Sequence, residues 1–156
     1  MSERQYDQIT VQDVIDRADV GRSTFYAHYS SKEALLNASL GELRTVLTSP
    51  NEQPLGFSLP LLRHIEQHRA LGQALFGSAQ HTPVAQRIMS LLEEAIRQDL
   101  LQARLTQLPL PLDGFTKYAA GAYLAIVQWW LQAAEPMQPV ELDRLMRRLI
   151  LAATHP

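Results

Sequence analysis

The chain has 156 residues, of which 46% are hydrophobic and 19% charged, values that are ordinary for one globular domain or two small ones. It contains no cysteine, which excludes disulfides, thiol catalysis and cysteine zinc sites. Its fourteen basic and sixteen acidic residues give a net charge of −2. That balance excludes a strongly basic protein that coats nucleic acid, but not one with a single small basic reading surface.

The N-terminal third, taken first, predicts three helices. Thr10 is a candidate N-cap for a short helix. The apolar face of that helix comprises Val11, Val14, Ile15 and Ala18. The segment Asp19-Val20-Gly21 interrupts the pattern, and Gly21 is free to adopt a positive φ there. A second short helix is predicted from Arg22 to Tyr29, and a third follows the Ser30-Ser31 cap and ends at Pro50.

The segment 51–60 contains two prolines and a glycine, so we expect a domain boundary there, with domains at 1–50 and 51–156. Longer helices are predicted beyond it, over 61–68, 70–76, 83–101, 115–134 and 140–153. Thr82-Pro83 marks one helix start and Asp113 is a candidate cap for another. Sustained strand alternation is absent. The predicted fold class is therefore all-α, with a short-helix domain followed by a longer-helix domain.

Two short helices joined by a tight glycine-containing turn indicate a helix-turn-helix. The second helix of such a unit enters the major groove while the first braces it across the backbone. We predict an inward set of Val14, Ala18, Val20, Phe25 and Tyr29. The outward set is Arg22, Ser23, Thr24, Tyr26, Ala27 and His28. Arg22 alone in this set can bind guanine through two hydrogen bonds.

These residues resemble the TetR/AcrR family of bacterial transcriptional regulators. The resemblance covers about residues 6–47 and rests on the Thr10 cap, the Ala18-x-Val20-Gly21 turn, Thr-Phe-Tyr-x-His-Tyr at 24–29 and Ser-Lys-Glu-x-Leu-Leu at 31–36. It implies DNA-binding roles for Thr10, Gly21, Arg22, Ser23, Thr24, Tyr26, His28 and Lys32. Within that set the resemblance assigns bases and phosphates to 21–24, and phosphates to Thr10, Tyr26, His28 and Lys32.

The family normally has a full helix before this unit, whereas only Ser2 to Gln8 precede it here. Two explanations stay open, a coding start placed too late and a truncated N-terminal domain. The residues 1–50 also carry a net charge of −2, while the remainder of the chain is neutral. An alternative function is therefore a dimer of this fold that has lost DNA binding and serves as a ligand-binding or protein-interaction module.

The resemblance implies a homodimeric repressor in the cytoplasm, released from a palindromic operator by a small molecule. No apolar run approaches the ~18 residues of a membrane span, and no cofactor is predicted. The small residues of 119–125 permit close helix approach. With the helix 140–153 they predict a four-helix dimer interface built from the last two helices of each subunit. The alternative is plain packing inside one subunit.

Six residues of the C-terminal part are candidates for lining an effector cavity. They are His64, Phe76, Met89, Tyr118, Tyr123 and Trp129. Each apolar or aromatic residue among them more often belongs to a core or an interface, and the two tyrosines are the favoured pocket candidates because each adds a polar tip to an apolar body. His64 and His68 have the spacing that lets two imidazoles share a metal, but no third ligand is nearby, so no metal site is predicted.

The carboxylates do not indicate an enzyme. Asp113, Glu141 and Asp143 each occupy a position typical of a helix cap or first-turn acid. The sequence has no Ser/His/Asp arrangement, phosphate-binding glycine loop or dinucleotide fingerprint. We therefore expect a regulator rather than a catalyst.

Overall fold

A computed structural model describes residues 8–49, 53–69, 72–73, 83–104 and 108–152. The helices in these ranges are α1 (Val11–Ala18), α2 (Arg22–His28), α3 (Lys32–Leu47), α4 (Ser58–Gln67), α5 (Pro83–Gln102), α6 (Leu112–Gln132) and α7 (Pro139–Leu151). No strand occurs in the described ranges, and the all-α prediction is confirmed. None of the described helices is both long and apolar enough to cross a bilayer.

The main core lies among α3 to α7. The longest helices, α5 and α6, pack along each other, α4 packs against α7, and α3 contacts both α4 and α5. Four of the largest side chains in this core are almost fully buried, namely Phe57, Phe115, Tyr123 and Trp130. Burial of this apolar surface is the main force that holds the five helices together. Because Leu40, Leu43 and Leu47 belong to the same core, α3 is anchored in it.

The helix-turn-helix has a much smaller core. Among residues 8–31, the buried apolar side chains are Ile15 and Phe25, and neither belongs to the main core. The prediction that Ala18 and Val20 pack inward is wrong, because Ala18 is exposed and Val20 keeps 38% of its surface exposed. The segment Ser2 to Gln8, which precedes the helix-turn-helix, lies outside the described residues except for Gln8.

Several predicted helix ends shift by a few residues. Helix α6 begins at Leu112, with Pro111 at the N-cap, so the prediction that Asp113 caps a helix starting at Phe115 is wrong. Asp113 lies in the first turn and pairs with Arg97 of α5. The hydrogen bond from Arg97 holds the pKa of the Asp113 carboxyl below its ordinary value. A proline in the first turn explains why α7 starts at Pro139 rather than at 140.

The predicted helix over 70–76 lies outside the described residues except for 72 and 73, which are helical. The C-terminal end of α6 contacts this region. The Arg69 guanidinium donates to the carbonyls of Trp130 and Leu131 at 2.8 and 3.0 Å. Gln73 also donates to the Leu131 carbonyl, at 2.9 Å. These bonds satisfy carbonyl groups that the end of a helix leaves without partners.

Candidate nucleic-acid interface

The N-terminus of α1 is closed by a reciprocal capping box. The Thr10 hydroxyl oxygen accepts from the main-chain N–H of Asp13 at 3.2 Å. The main-chain N–H and the hydroxyl of Thr10 both donate to the Asp13 carboxylate, at 2.8 and 2.6 Å. The predicted Thr10 cap is therefore present. The Asp13 carboxylate accepts from N–H and hydroxyl groups at the start of α1 that could otherwise bind a phosphate. A phosphate bound there would therefore compete with Asp13 for these donors.

The turn between α1 and α2 depends on Asp19. Asp19 adopts the left-handed conformation, with φ 51° and ψ 45°, and its N–H donates to the carbonyl of Ile15. Gly21 is free to take a positive φ but has a φ of −70°, and it is the N-cap of α2. Aspartate is among the few residues other than glycine that visit this region readily. The left-handed position therefore falls two residues before the glycine.

Helix α2 presents a nearly continuous exposed surface. Phe25 is its one buried residue, and the predicted outward residues Arg22, Ser23, Thr24, Tyr26, Ala27 and His28 are all exposed. The guanidinium carbon of Arg22 lies 5.8 Å from the centre of the Tyr26 ring. The surface thus combines one cation, two aromatic rings and three hydroxyls, groups that bind phosphates and base edges.

Lys32 begins α3 directly after this surface. The Ser31 hydroxyl oxygen accepts from the main-chain N–H of Ala34 at 3.1 Å and caps the helix. Lys32 is half-buried, and the neighbouring Glu33 is exposed. The pKa of the Glu33 carboxyl is lowered because its own main-chain N–H and the Ser31 hydroxyl donate to it. Lys32 therefore projects from a turn that also carries a stable negative charge.

Two open grooves lie between neighbouring helices. One, of about 460 Å³, separates α5 from α6 and is lined by Met89, Gly121 and Ala125, among others. A second, of about 910 Å³, lies between α3 and α5 and is lined by Arg44, Arg87 and Glu94, among others. Arg87 donates to the Asn37 side-chain oxygen at 3.0 Å and so bridges α3 and α5.

The structure does not gather the predicted effector residues into one site. Met89 lines the groove between α5 and α6, whereas His64, Tyr118, Tyr123 and Trp129 line neither groove in the described part of the chain. Phe76 lies outside the described residues. Tyr123 is buried, and its hydroxyl donates to the Ser58 hydroxyl oxygen at 3.2 Å. Burial raises the pKa of the Tyr123 hydroxyl, so it stays protonated.

The two histidines of α4 lie side by side, with ring centres 4.9 Å apart. Among the described residues there is no group of three or more histidines and carboxylates that could hold a metal ion. His64 is half-buried and His68 is exposed.

An exposed apolar face runs along α6 and α7. Of nine large apolar side chains exposed in the described residues, five lie on these two helices. They are Tyr118, Trp129, Val140, Leu145 and Leu149. Trp129 leaves 58% of its surface exposed and Leu149 leaves 52%. Five exposed side chains of this size on two neighbouring helices, which we call the apolar face of α6 and α7, make these helices the candidate interaction surface.

Comparisons with known proteins agree on one family. The sequence-family model for bacterial regulatory proteins of the tetR family matches residues 1–39. A second family model, for a transcriptional regulator C-terminal region, matches residues 52–152. The crystal structure of a TetR transcriptional regulator from Streptococcus agalactiae 2603V is similar over 95% of this chain and 85% of its own, with 30% identity and a TM-score of 0.65. The chain belongs to the TetR family. No curated protein matches it in sequence.

As a TetR-family protein, this chain is a DNA-binding transcriptional regulator, and regulators of this family are generally not enzymes. The carboxylates that the sequence offers as catalytic candidates lie within helices of this TetR-family chain. Asp143, expected near a helix start, is buried, and both its oxygens accept from the Arg147 guanidinium at 3.0 and 3.1 Å. Glu141 lies in the first turn of α7, as expected.

Sequence reasoning missed a polar clamp on the junction that follows α3 in this TetR-family regulator. Leu55 adopts φ 58° and is buried. Its N–H donates to the carboxylate of Asp99 on α5, and Arg147 of α7 donates to the Pro54 carbonyl at 3.0 Å. The only available signal was an acidic residue next to the apolar positions of α5. That signal does not reveal a partner 44 residues away.

Proposed function

We propose that this regulator is a ligand-responsive repressor that binds a palindromic operator as a homodimer. The observation that carries the proposal is the exposed surface of α2, where every residue except Phe25 faces solvent. The proposed DNA-contacting residues are Thr10, Gly21, Arg22, Ser23, Thr24, Tyr26, His28 and Lys32. We place the protein in the cytoplasm, because the operator that this surface would bind lies there.

The contacts divide by chemistry. Arg22 is the base reader, because its planar guanidinium can donate two parallel hydrogen bonds to guanine. Tyr26, His28 and Lys32 contact phosphates, which position the protein without reading sequence. The net charge of −2 over residues 1–50 implies few phosphate contacts. The affinity should accordingly depend only modestly on salt.

Dimerisation through α6 and α7 would pair two copies of α2. The exposed apolar face of these helices supports a four-helix interface, in which a two-fold axis places the same patch of each protomer against the other. Two recognition helices held in this way reach half-sites about one DNA turn, or a multiple of it, apart. The operator is therefore expected to be an inverted repeat.

The effector is proposed to act in the domain at 51–156, with the DNA-binding domain at 1–50. Helix α3 carries Lys32 at its start and buries Leu40, Leu43 and Leu47 in the core of the C-terminal helices. A ligand with different affinities for two arrangements of these helices would shift the position of α2 through α3. Met89, in the groove between α5 and α6, is the candidate residue best placed to meet such a ligand.

The test is selection from duplex DNA randomised over about two helical turns. The full chain should enrich an inverted repeat, and the enriched duplex is then titrated by fluorescence anisotropy at several salt concentrations. Lys32→Ala should weaken binding to all sequences and reduce the salt slope by about 0.9. Lys117→Ala is the matched control, since these two are the only lysines and Lys117 lies on α6.

The wild-type chain enriching no sequence would count against DNA recognition and favour an interaction module. Enrichment of a site without inverted symmetry would contradict the dimeric operator. Equal salt slopes for wild type and Lys32→Ala would remove Lys32 from the phosphate contacts.

A further inference from the structure

Arg22 and Tyr26 are joined on the exposed side of α2. The two residues are four apart, which places their side chains on the same helix face, and the guanidinium carbon lies 5.8 Å from the ring centre. Tyr26 keeps 47% of its surface exposed. Arg22 forms no ion pair with any of the described residues. The aromatic ring is thus the contact that structure shows for this charge.

The ring of Tyr26 is itself held by the core of the helix-turn-helix. It meets the ring of Phe25 edge to face, with centroids 5.3 Å apart and an interplanar angle of 86°. Phe25 is 5% exposed and lies 5.9 Å from the ring of Tyr29. A line of aromatic contacts therefore runs from the buried residue outward to Arg22. Edge-to-face aromatic pairs have a preferred geometry, so they limit where the Tyr26 ring can lie.

We propose that Tyr26 is a positioning residue for Arg22, and that it thereby contributes to sequence selection while touching only the DNA backbone. This inference rests on the proposed function, in which Arg22 reads a guanine. Arginine has a long side chain, and holding it in place before DNA arrives reduces the freedom it loses on binding. A guanidinium packed on a ring keeps the N–H donors in its own plane available for guanine O6 and N7.

Tyr26 then has two separable tasks. Its hydroxyl, for which the described residues provide no hydrogen-bond partner, is available to a phosphate, and its ring supports Arg22. Tyr26→Phe removes the first task and keeps the second. Tyr26→Leu removes both and retains apolar bulk at a position that is already exposed.

The experiment repeats the selection from randomised duplex DNA with the full-length variants. The base pair that Arg22 contacts is identified as the one at which Arg22→Ala loses the guanine preference. Tyr26→Phe should bind all sequences more weakly and keep the guanine preference at that base pair. Tyr26→Leu should lose about 2–5-fold of that preference as well. Adding Tyr26→Leu to Arg22→Ala should leave the preference at that base pair unchanged, because one variant already removes the shared contact.

A readout without DNA tests the contact itself. The side-chain protons of Arg22 should carry a ring-current shift in wild type and in Tyr26→Phe, and this shift should disappear in Tyr26→Leu. Arg22→Lys keeps the charge but not the planar fork, so it should lose the guanine preference while retaining most of the salt dependence.

Two results would overturn the inference while leaving the proposed function intact. One is an enriched operator with the same guanine preference in Tyr26→Phe and Tyr26→Leu. The other is an Arg22 signal that does not respond to Tyr26→Leu. If the wild-type chain enriches no sequence at all, the proposed function fails, and the inference fails with it.

Discussion

At the scale of single residues, the turn of the helix-turn-helix rests on Asp19. Its φ of 51° is in the region that most side chains avoid, and its N–H closes the end of α1 on Ile15. Gly21 has φ −70°, and a Cβ added there would meet Thr24 Oγ1 at 3.5 Å and Ser23 Oγ at 3.7 Å, ordinary contact distances. The backbone therefore does not require glycine at position 21.

Gly21→Ser should stabilise the helix-turn-helix by about 1 kcal/mol, because serine is a stronger N-cap and restricts the unfolded chain. Asp19→Val should cost about 1 kcal/mol, since a β-branched residue is strained at positive φ. Urea unfolding combined with amide hydrogen exchange over α1 and α2 measures both variants. A larger loss for Gly21→Ser than for Asp19→Val would show that the left-handed residue is not Asp19.

At the scale of elements, the junction between α3 and α4 is held from two helices. The carboxylate of Asp99 on α5 accepts from the N–H of Leu55, and Arg147 on α7 donates to the Pro54 carbonyl. The pKa of the Asp99 carboxyl is raised, because its burial outweighs hydrogen bonding from the main chain and the nearby Arg147 charge. The charge on Asp99 therefore destabilises the folded state relative to its protonated form.

This shift predicts a pH dependence with a definite sign. A raised pKa means that the folded chain holds the proton of Asp99 more tightly than the unfolded chain, so the contribution of this group to stability falls as pH rises from about 4 through the raised value. Asp99→Asn keeps an oxygen that can accept from Leu55 and removes the titration. We expect the unfolding free energy of wild type, measured relative to that of Asp99→Asn, to decrease over this range in urea titrations at pH values between about 4 and 7.

Asp113→Asn is the matched control, because the pKa of Asp113 is shifted downward by Arg97. In wild type this group adds stability at pH values above its ordinary pKa, and the addition is lost on acidification. The variant should therefore differ from wild type in the opposite direction, and by little, since the pair is exposed. The same pH response in Asp99→Asn and wild type would contradict the assignment.

The helices themselves could be predicted from sequence, and their tertiary contacts could not. Thr10, Ser31 and the prolines signal helix starts through local backbone chemistry, which a sequence shows directly. Asp113 and Asp143 are of the residue type that caps helices, but the sequence did not predict their pairing with Arg97 and Arg147. On the candidate interface, the exposed residues of α2 follow from helical periodicity. The contact between Arg22 and Tyr26 depends on side-chain conformations, which helical periodicity does not determine.

At the scale of the whole molecule, the apolar face of α6 and α7 is the surface best suited to a second copy. Trp129→Glu or Leu149→Glu would place like charges near each other across a two-fold axis. We expect either variant to sediment as a monomer at concentrations where wild type is a dimer. Its affinity for the full operator should also fall by more than the removal of one half-site contact would cause. Sedimentation velocity and operator titration measure the two effects.

Leu101→Glu provides the control for surface charge. Leu101 is also an exposed leucine, with 59% of its surface accessible, but it lies on α5. It should leave the sedimentation coefficient unchanged. A wild-type protein that stays monomeric, or a Leu101 variant that dissociates like the others, would refute dimerisation through α6 and α7.

The only two tryptophans of the chain are neighbours in sequence with opposite surroundings. Trp130 is fully buried, and its indole N–H donates to the Met137 carbonyl at 2.8 Å, whereas Trp129 keeps 58% of its surface exposed. Their fluorescence should therefore separate into a blue-shifted, quencher-resistant component and a red-shifted, quenchable one. Association through α6 and α7 would shield the second component and leave the first unchanged, while unfolding would expose both. One residue apart, the protein carries an optical reporter of folding and an optical reporter of association.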